Sequence, residues 1–185
     1  MFHANSIGLD AAIALQFHLR RQSNPNLFKS RTVNKVIYGL YGTSKIVDVP
    51  PTVTEFGVNV LTDNDEQRNI PEKTLKKLQC LVWSNISSYA GGTVLWKTDN
   101  ENAHFKPCLM DDHLLEVVGL KDIKHVVALT TNFSSGVKLV QGSTFRIQVD
   151  RECPIQVDGE PLLIGPSIIE ISRLNQARMI KKRKQ

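Results

Sequence analysis

Cysteine is scarce in this chain. Its three thiols, Cys80, Cys108 and Cys153, are odd in number and widely separated. That spacing fits neither a disulfide-stapled scaffold nor a zinc site, and it suits reduced thiols in a cytosolic protein. Long apolar runs are missing too: none approaches the ~18 to 20 residues that span a bilayer. The start, Met1-Phe2-His3-Ala4-Asn5, has neither the basic residues nor the apolar run of a secretory signal. No glycine-rich phosphate loop follows a strand and opens a helix, and Gly91-Gly92 is the only adjacent glycine pair. The five histidines show no metal-ligand spacing. Positive charge is thin outside one place: of a net +5, Lys181-Lys182-Arg183-Lys184 supplies four, which leaves about +1 for the rest. With no basic stripe interleaved with aromatics, nucleic-acid binding is the poorest reading. The basic tail is either a solvated end or an attraction to anionic lipid headgroups, worth ~1 kcal/mol per residue near a membrane.

What is present suits a soluble globular protein. At 185 residues with 41% apolar and 22% charged side chains, the chain can bury one real core, with two small lobes as the alternative. Asp10 stands where a helix N-cap belongs, before an amphipathic stretch from Ala11 to Arg21 that Asn24-Pro25-Asn26 breaks. A second helix is expected from about Ser30 to Leu40, with Arg31 and Lys35 on one face. From there the pattern turns to β. Phe56, Val58 and Val60 alternate with polar neighbours or glycine, as do Phe145, Ile147 and Val149. Leu81-Val82-Trp83, Leu115–Leu120, Ile155–Val157 and Ile168–Ile171 add further strands, and the polar Asp63–Asn69 segment reads as a hairpin or longer loop. The period of Ile123–Phe133 is ambiguous. Closely spaced strands with Gly, Pro and Asp turns predict an α+β, mostly β domain, built as an antiparallel sandwich or barrel-like sheet with a few helices near the N-terminus.

The richest stretch is Ile155-Gln156-Val157-Asp158-Gly159-Glu160-Pro161, where a tight turn after an alternating strand carries two carboxylates outward. Asp-Gly by itself is a common structural turn. It is accompanied, in order, by Ser6-Ile7-Gly8-Leu9-Asp10-Ala11, Ser30-Arg31 to Gly42-Thr43, Asn85-Ile86-Ser87-Ser88-Tyr89-Ala90-Gly91-Gly92-Thr93 and Asp111-Asp112-His113-Leu114-Leu115-Glu116-Val117-Val118-Gly119. Together these segments resemble the accessory, C-terminal half of the catalytic region of eukaryotic diacylglycerol kinases. The resemblance runs from about Phe2 to Met179, so a domain at 1–178 followed by a basic tail at 179–185 is expected.

That resemblance implies the second lobe of a lipid kinase that moves the γ-phosphoryl of ATP to diacylglycerol, giving phosphatidic acid with Mg²⁺ assistance. The glycine-rich nucleotide lobe of such kinases precedes the part resembled, and it is expected from the same parent protein; the fragment alone is expected to be inactive. The resemblance makes Glu160 a group near the Mg-nucleotide phosphates or a general base, and Asp158 a support for the turn or the metal. A β-turn with two solvated carboxylates is the competing reading. It implies Mg²⁺ held by the Asp112 carboxylate and the Leu109 and Leu114 carbonyls, a donor set that suits a hard cation. His113 departs from the pattern there, because many relatives have Gly. Asp10 would orient or deprotonate the lipid hydroxyl, or simply cap its helix. Arg31 and Lys35 would serve the nucleotide or the interlobe contact, or pair with acidic neighbours. Partners implied are diacylglycerol, a membrane surface engaged peripherally from the cytoplasm, and the ATP-binding lobe. Two alternatives stand beside this: a non-catalytic lipid- or protein-binding module, and the accessory half of a sphingosine- or ceramide-type kinase.

Overall fold

The computed structural model describes residues 4–28, 30, 51–63, 69–89, 92–97, 105–131 and 133–175. Among these described residues two antiparallel sheets are stacked. The larger has six strands in the order β5-β4-β3-β1-β7-β8, and the smaller three in the order β2-β6-β9. In chain order these are β1 (Ala4–Gly8), β2 (Asn59–Thr62), β3 (Cys80–Ser84), β4 (Leu115–Leu120), β5 (Val137–Gly142), β6 (Thr144–Val149), β7 (Cys153–Val157), β8 (Glu160–Ile164) and β9 (Ser167–Ser172). Helix α1 (Leu9–Ser23) lies against β1, β7 and β8. A short helix, α2, spans Glu72–Leu75, and α3 spans Ile123–Thr130.

Alternation along the strands divides the core in two. Ile7, Leu81, Trp83, Val117, Val140 and Cys153 face the small sheet, where they meet Val60, Phe145, Ile147 and Ile171. Trp83 and Phe145 meet edge to face across this layer, with centroids 6.5 Å apart. The opposite face of the six-stranded sheet sends Cys80, Val82, Val118 and Leu120 toward Leu9, Ile13, Ile123 and Leu129 of α1 and α3. Strand β3 is buried along its whole length because it is covered on both faces. That double cover explains why Leu81-Val82-Trp83 reads as an apolar run rather than as an alternation.

The antiparallel sandwich predicted from the pattern is therefore present, with a helical layer on its outer side. Strand β4 falls where expected, and the segment of ambiguous period forms α3. Two local readings need correction. Helix α1 starts at Leu9, and its N-cap is Gly8 with φ 95°, not Asp10; Asp10 sits inside the first turn. Residues Val53–Phe56 form a 3-10 turn rather than the start of a strand, because Thr52 and Glu55 make a reciprocal capping box and Gly57 closes it at φ 67°. Only Asn59–Thr62 is extended. The helix expected over Ser30–Leu40 lies outside the described residues, apart from Ser30, and so do Arg31, Lys35 and the basic tail.

Candidate functional site

Asp10 is drawn out of the capping role by its neighbours. Gly8 turns the chain from β1 into α1 so tightly that an added Cβ would lie 2.2 Å from the Gln79 carbonyl oxygen. Leu9 N–H donates to that same oxygen at 2.8 Å. The corner brings the first turn of α1 back over β1, where Asp10 Oδ2 accepts from Ser6 Oγ at 2.8 Å and from Gln156 Nε2 at 2.5 Å. The Tyr89 hydroxyl donates to the same oxygen and accepts from Gln156 Nε2 at 3.2 Å. Ser6 and Gln156 are opposite one another in the β1–β7 register and so share the helix-side face of the sheet. Tyr89 is held by its own loop: Tyr89 N–H donates to Thr93 O and Thr93 N–H to Tyr89 O, both at 2.8 Å. Gly92, at φ 117°, makes that turn. A half-buried carboxylate is thus fixed at one oxygen by three side chains. It can orient a hydroxyl or receive a proton in a reproducible place.

The Asp158-Gly159 turn joins β7 to β8 with both residues at positive φ, 49° and 90°, the two-residue hairpin geometry that Asp-Gly favours. Asp158 is exposed and hydrogen-bonds back to the chain. Its Oδ1 accepts Ala4 N–H at 2.9 Å, and its own N–H donates to Ala4 O at 2.9 Å. It pins the first residue of β1. Glu160 is exposed at the start of β8. It stands opposite Val157, which stands opposite Asn5, so it shares the sheet face of Trp83 and not that of Ser6 and Gln156. The two carboxylates read together from the sequence are therefore parted. Asp158 serves the backbone, and Glu160 lies across the sheet from Asp10.

The Asp111-Asp112-His113-Leu114 loop leads into β4. Asp112 Oδ1 accepts Leu114 N–H at 3.0 Å, whereas its Oδ2 is buried with no hydrogen-bond partner. His113 sits at φ 69°, a conformation that glycine takes freely and a side chain only under strain of about 1–3 kcal/mol. The loop thus keeps the glycine-like geometry despite the substitution. Beside it is a residue that no motif singled out. Glu116 is 0% exposed. Its Oε1 accepts from Gln141 Nε2 at 2.9 Å, while its Oε2 is buried and unpartnered. Burial foremost raises its pKa; hydrogen bonds from Cys108 and Gln141 oppose this, and the Asp112 charge adds to it. An orphaned anionic oxygen on each of two neighbouring carboxylates is what a bound cation would relieve, so the donor set fits Mg²⁺. An open cavity of about 260 Å³ adjoins this loop, lined by Asn85, Met110, His113, Leu114, Ser143 and Arg173 among others.

Ser6, Tyr89, Gln156 and Glu116 are the functional candidates that pattern reading passed over. All four lie inside the quoted motifs, but only the fold shows that the first three converge. Glu116 carried one usable signal, an acidic residue inside an otherwise apolar strand.

Comparison with known proteins shows the family. The family described as "Diacylglycerol kinase accessory domain" matches residues 3–161. Diacylglycerol kinase theta of Mus musculus is 36% identical over 180 residues, covering 97% of this chain and 18% of that protein. Diacylglycerol kinase 1 of Arabidopsis thaliana is 35% identical over 178 residues, covering 95% of this chain and 24% of the relative. Diacylglycerol kinase iota of Homo sapiens is 33% identical over 180 residues, covering 97% and 17%. The chain spans about a fifth of the length of these relatives.

Proposed function

The chain belongs to the diacylglycerol kinase accessory domain family, and on that premise we propose that it completes the active site of an ATP-dependent lipid kinase that converts diacylglycerol to phosphatidic acid. The observation that carries this is the fixed Asp10 carboxylate, held at Oδ2 by Ser6, Tyr89 and Gln156. In the reaction the lipid hydroxyl oxygen bonds to the γ-phosphorus, the bond to the β-phosphate oxygen breaks, ADP leaves and the hydroxyl proton passes to a carboxylate. Such chemistry asks a protein mainly for positioning and charge stabilisation. Asp10 would orient the lipid hydroxyl. Glu160, on the other sheet face, would work beside the nucleotide phosphates or take the proton, and Asp158 would hold the turn that presents it. Asp112, with the Leu109 and Leu114 carbonyls, would hold Mg²⁺. A bound Mg²⁺ supplies positive charge to developing anionic oxygens. Arg31 and Lys35 are proposed to serve the nucleotide.

The glycine-rich nucleotide lobe is assigned to another part of the parent protein. Membrane engagement is proposed to be peripheral: among the described residues no helix is long and apolar enough to cross a membrane. Leu162 and Leu163 on β8 and Ile168 on β9 are exposed, and the basic run at 181–184 lies close behind in sequence. The similarity to diacylglycerol kinases favours diacylglycerol over a sphingoid base as substrate.

The test is phosphatidic acid formation by the parent kinase carrying Asp10→Asn or Glu160→Gln, each assayed over diacylglycerol and ATP concentrations. Each change is expected to lower kcat by about 100-fold, the usual scale for a positioned acid–base group. Activity of both variants within a factor of about 3 of the parent would remove the proposal.

A further inference from the structure

We propose that Glu116 is a second carboxylate ligand of the divalent cation, its Oε2 and the Asp112 Oδ2 donating to the same ion. This rests on the metal reading above and adds to it a residue outside the motif loop, on the strand behind it.

The argument begins with what the fold leaves unsolved. Glu116 lies on β4 opposite Ser84 of β3 and Gln141 of β5, so neighbouring strands enclose it. Gln141 cannot serve both of its oxygens, because its amide is already engaged. Gln141 Oε1 accepts Lys106 N–H at 2.8 Å, and Nε2 also donates to Lys106 O at 3.1 Å. One Glu116 oxygen is therefore satisfied by a side chain that the backbone holds still, and the other is left bare. Asp112 shows the same division, with one oxygen tied to Leu114 N–H and the other buried without a partner. A single unpaired buried carboxylate costs several kcal/mol, and two neighbouring ones repel besides. A divalent cation held between the two bare oxygens relieves both costs.

The surroundings select the kind of ion. The two bare donors, Glu116 Oε2 and Asp112 Oδ2, are both carboxylate oxygens. Two carboxylates, backbone carbonyls and water favour a hard divalent cation such as Mg²⁺ over zinc.

The experiment is Mg²⁺ binding to the 185-residue chain, followed by calorimetry and by Mg²⁺-induced thermal stabilisation, for the unaltered chain, Asp112→Asn and Glu116→Gln. The expected result is one site that Asp112→Asn abolishes and that Glu116→Gln weakens by at least about 10-fold, on the scale of losses at metal-site carboxylates. Glu116→Gln binding like the unaltered chain, while Asp112→Asn does not bind, overturns the assignment of Glu116 and leaves the metal reading standing. No Mg²⁺ binding by the unaltered chain removes both. If Glu116→Gln does not fold, carboxylate ¹³C resonances of the unaltered chain decide. Mg²⁺ moving both the Glu116 and Asp112 signals supports the proposal, and Mg²⁺ moving only Asp112 overturns it.

Discussion

Asp10 Oδ2 receives hydrogens from three side chains that belong to three separate stretches of sequence: Ser6, Tyr89 and Gln156. Their contributions differ in kind. Ser6 and Gln156 are buried in the sheet, and their removal would leave gaps there. Tyr89 reaches in from a loop that Gly92 and Thr93 close. Tyr89→Phe is therefore the clean probe, since it keeps the ring and deletes only the hydroxyl, which donates to Asp10 and accepts from Gln156. In the parent kinase it should lower kcat by about 10-fold, or about 1.4 kcal/mol of transition-state stabilisation. KM for diacylglycerol should stay within a factor of about 3, and thermal stability should be unchanged within what one half-buried hydrogen bond is worth, ~1 kcal/mol. An unchanged kcat, or a fall in kcat matched by an equal loss of stability, would show that Tyr89 only props up the loop. At this scale the sequence was half legible. Asp10, Asp112 and Glu160 are acids in motifs that can be recognised, whereas the polar partners that hold or neighbour them are separated by up to 146 positions.

Among the elements, strands buried on one or both faces could be read, because burial writes its period into the side chains. Thr144–Val149 alternates exposed and buried residues without exception, and Leu115–Leu120, apolar but for Glu116, is enclosed on both faces. The edge strand β8 could not be read. Glu160–Ile164 leaves most of its residues exposed, and Pro161 breaks the alternation, which only an edge strand tolerates. Strand β1 escaped for another reason: Ala4–Gly8 is too short to show a period, and its start is fixed by Asp158 rather than by its own pattern. The β1–α1 corner is the element on which the Asp10 arrangement depends. Gly8→Ala places a Cβ against the Gln79 carbonyl at a backbone angle that side chains avoid. It should destabilise the chain by at least about 2 kcal/mol, seen as a lower denaturant midpoint. In the parent kinase at a permissive temperature, kcat should also fall, because the first turn of α1 must move to relieve the clash. Wild-type stability in Gly8→Ala would mean that the corner relaxes without cost.

Across the whole molecule, the two sheets are joined most directly where β5 of the large sheet passes into β6 of the small one through Gly142-Ser143-Thr144. Asp63, just after β2, clamps that crossover. Its Oδ1 accepts Ser143 N–H at 3.0 Å, Thr144 N–H at 3.2 Å and Thr62 Oγ at 3.2 Å, and the Ser143 hydroxyl donates to Oδ2. Burial by itself would raise the Asp63 pKa. The hydrogen bonds from Ser143, Thr144 and Thr62 outweigh it and hold the carboxyl below its ordinary 3.8. The sign follows directly. A carboxyl with a folded pKa below its unfolded one contributes stability that is fully present above the unfolded value, and loses it as pH falls through the folded value. Asp63 is exposed, so solvent screening limits the contribution to about 1 kcal/mol. Asp63→Asn should therefore lower stability by about that much at neutral pH. The gap between variant and parent should then narrow as the pH is taken below about 3.8, where the parent carboxyl is itself being protonated. Urea unfolding of both chains between neutral pH and the acid limb measures this. A gap that stays constant across the range would show that the neutral amide fails for steric reasons, and that charge at Asp63 plays no part in locking one sheet to the other.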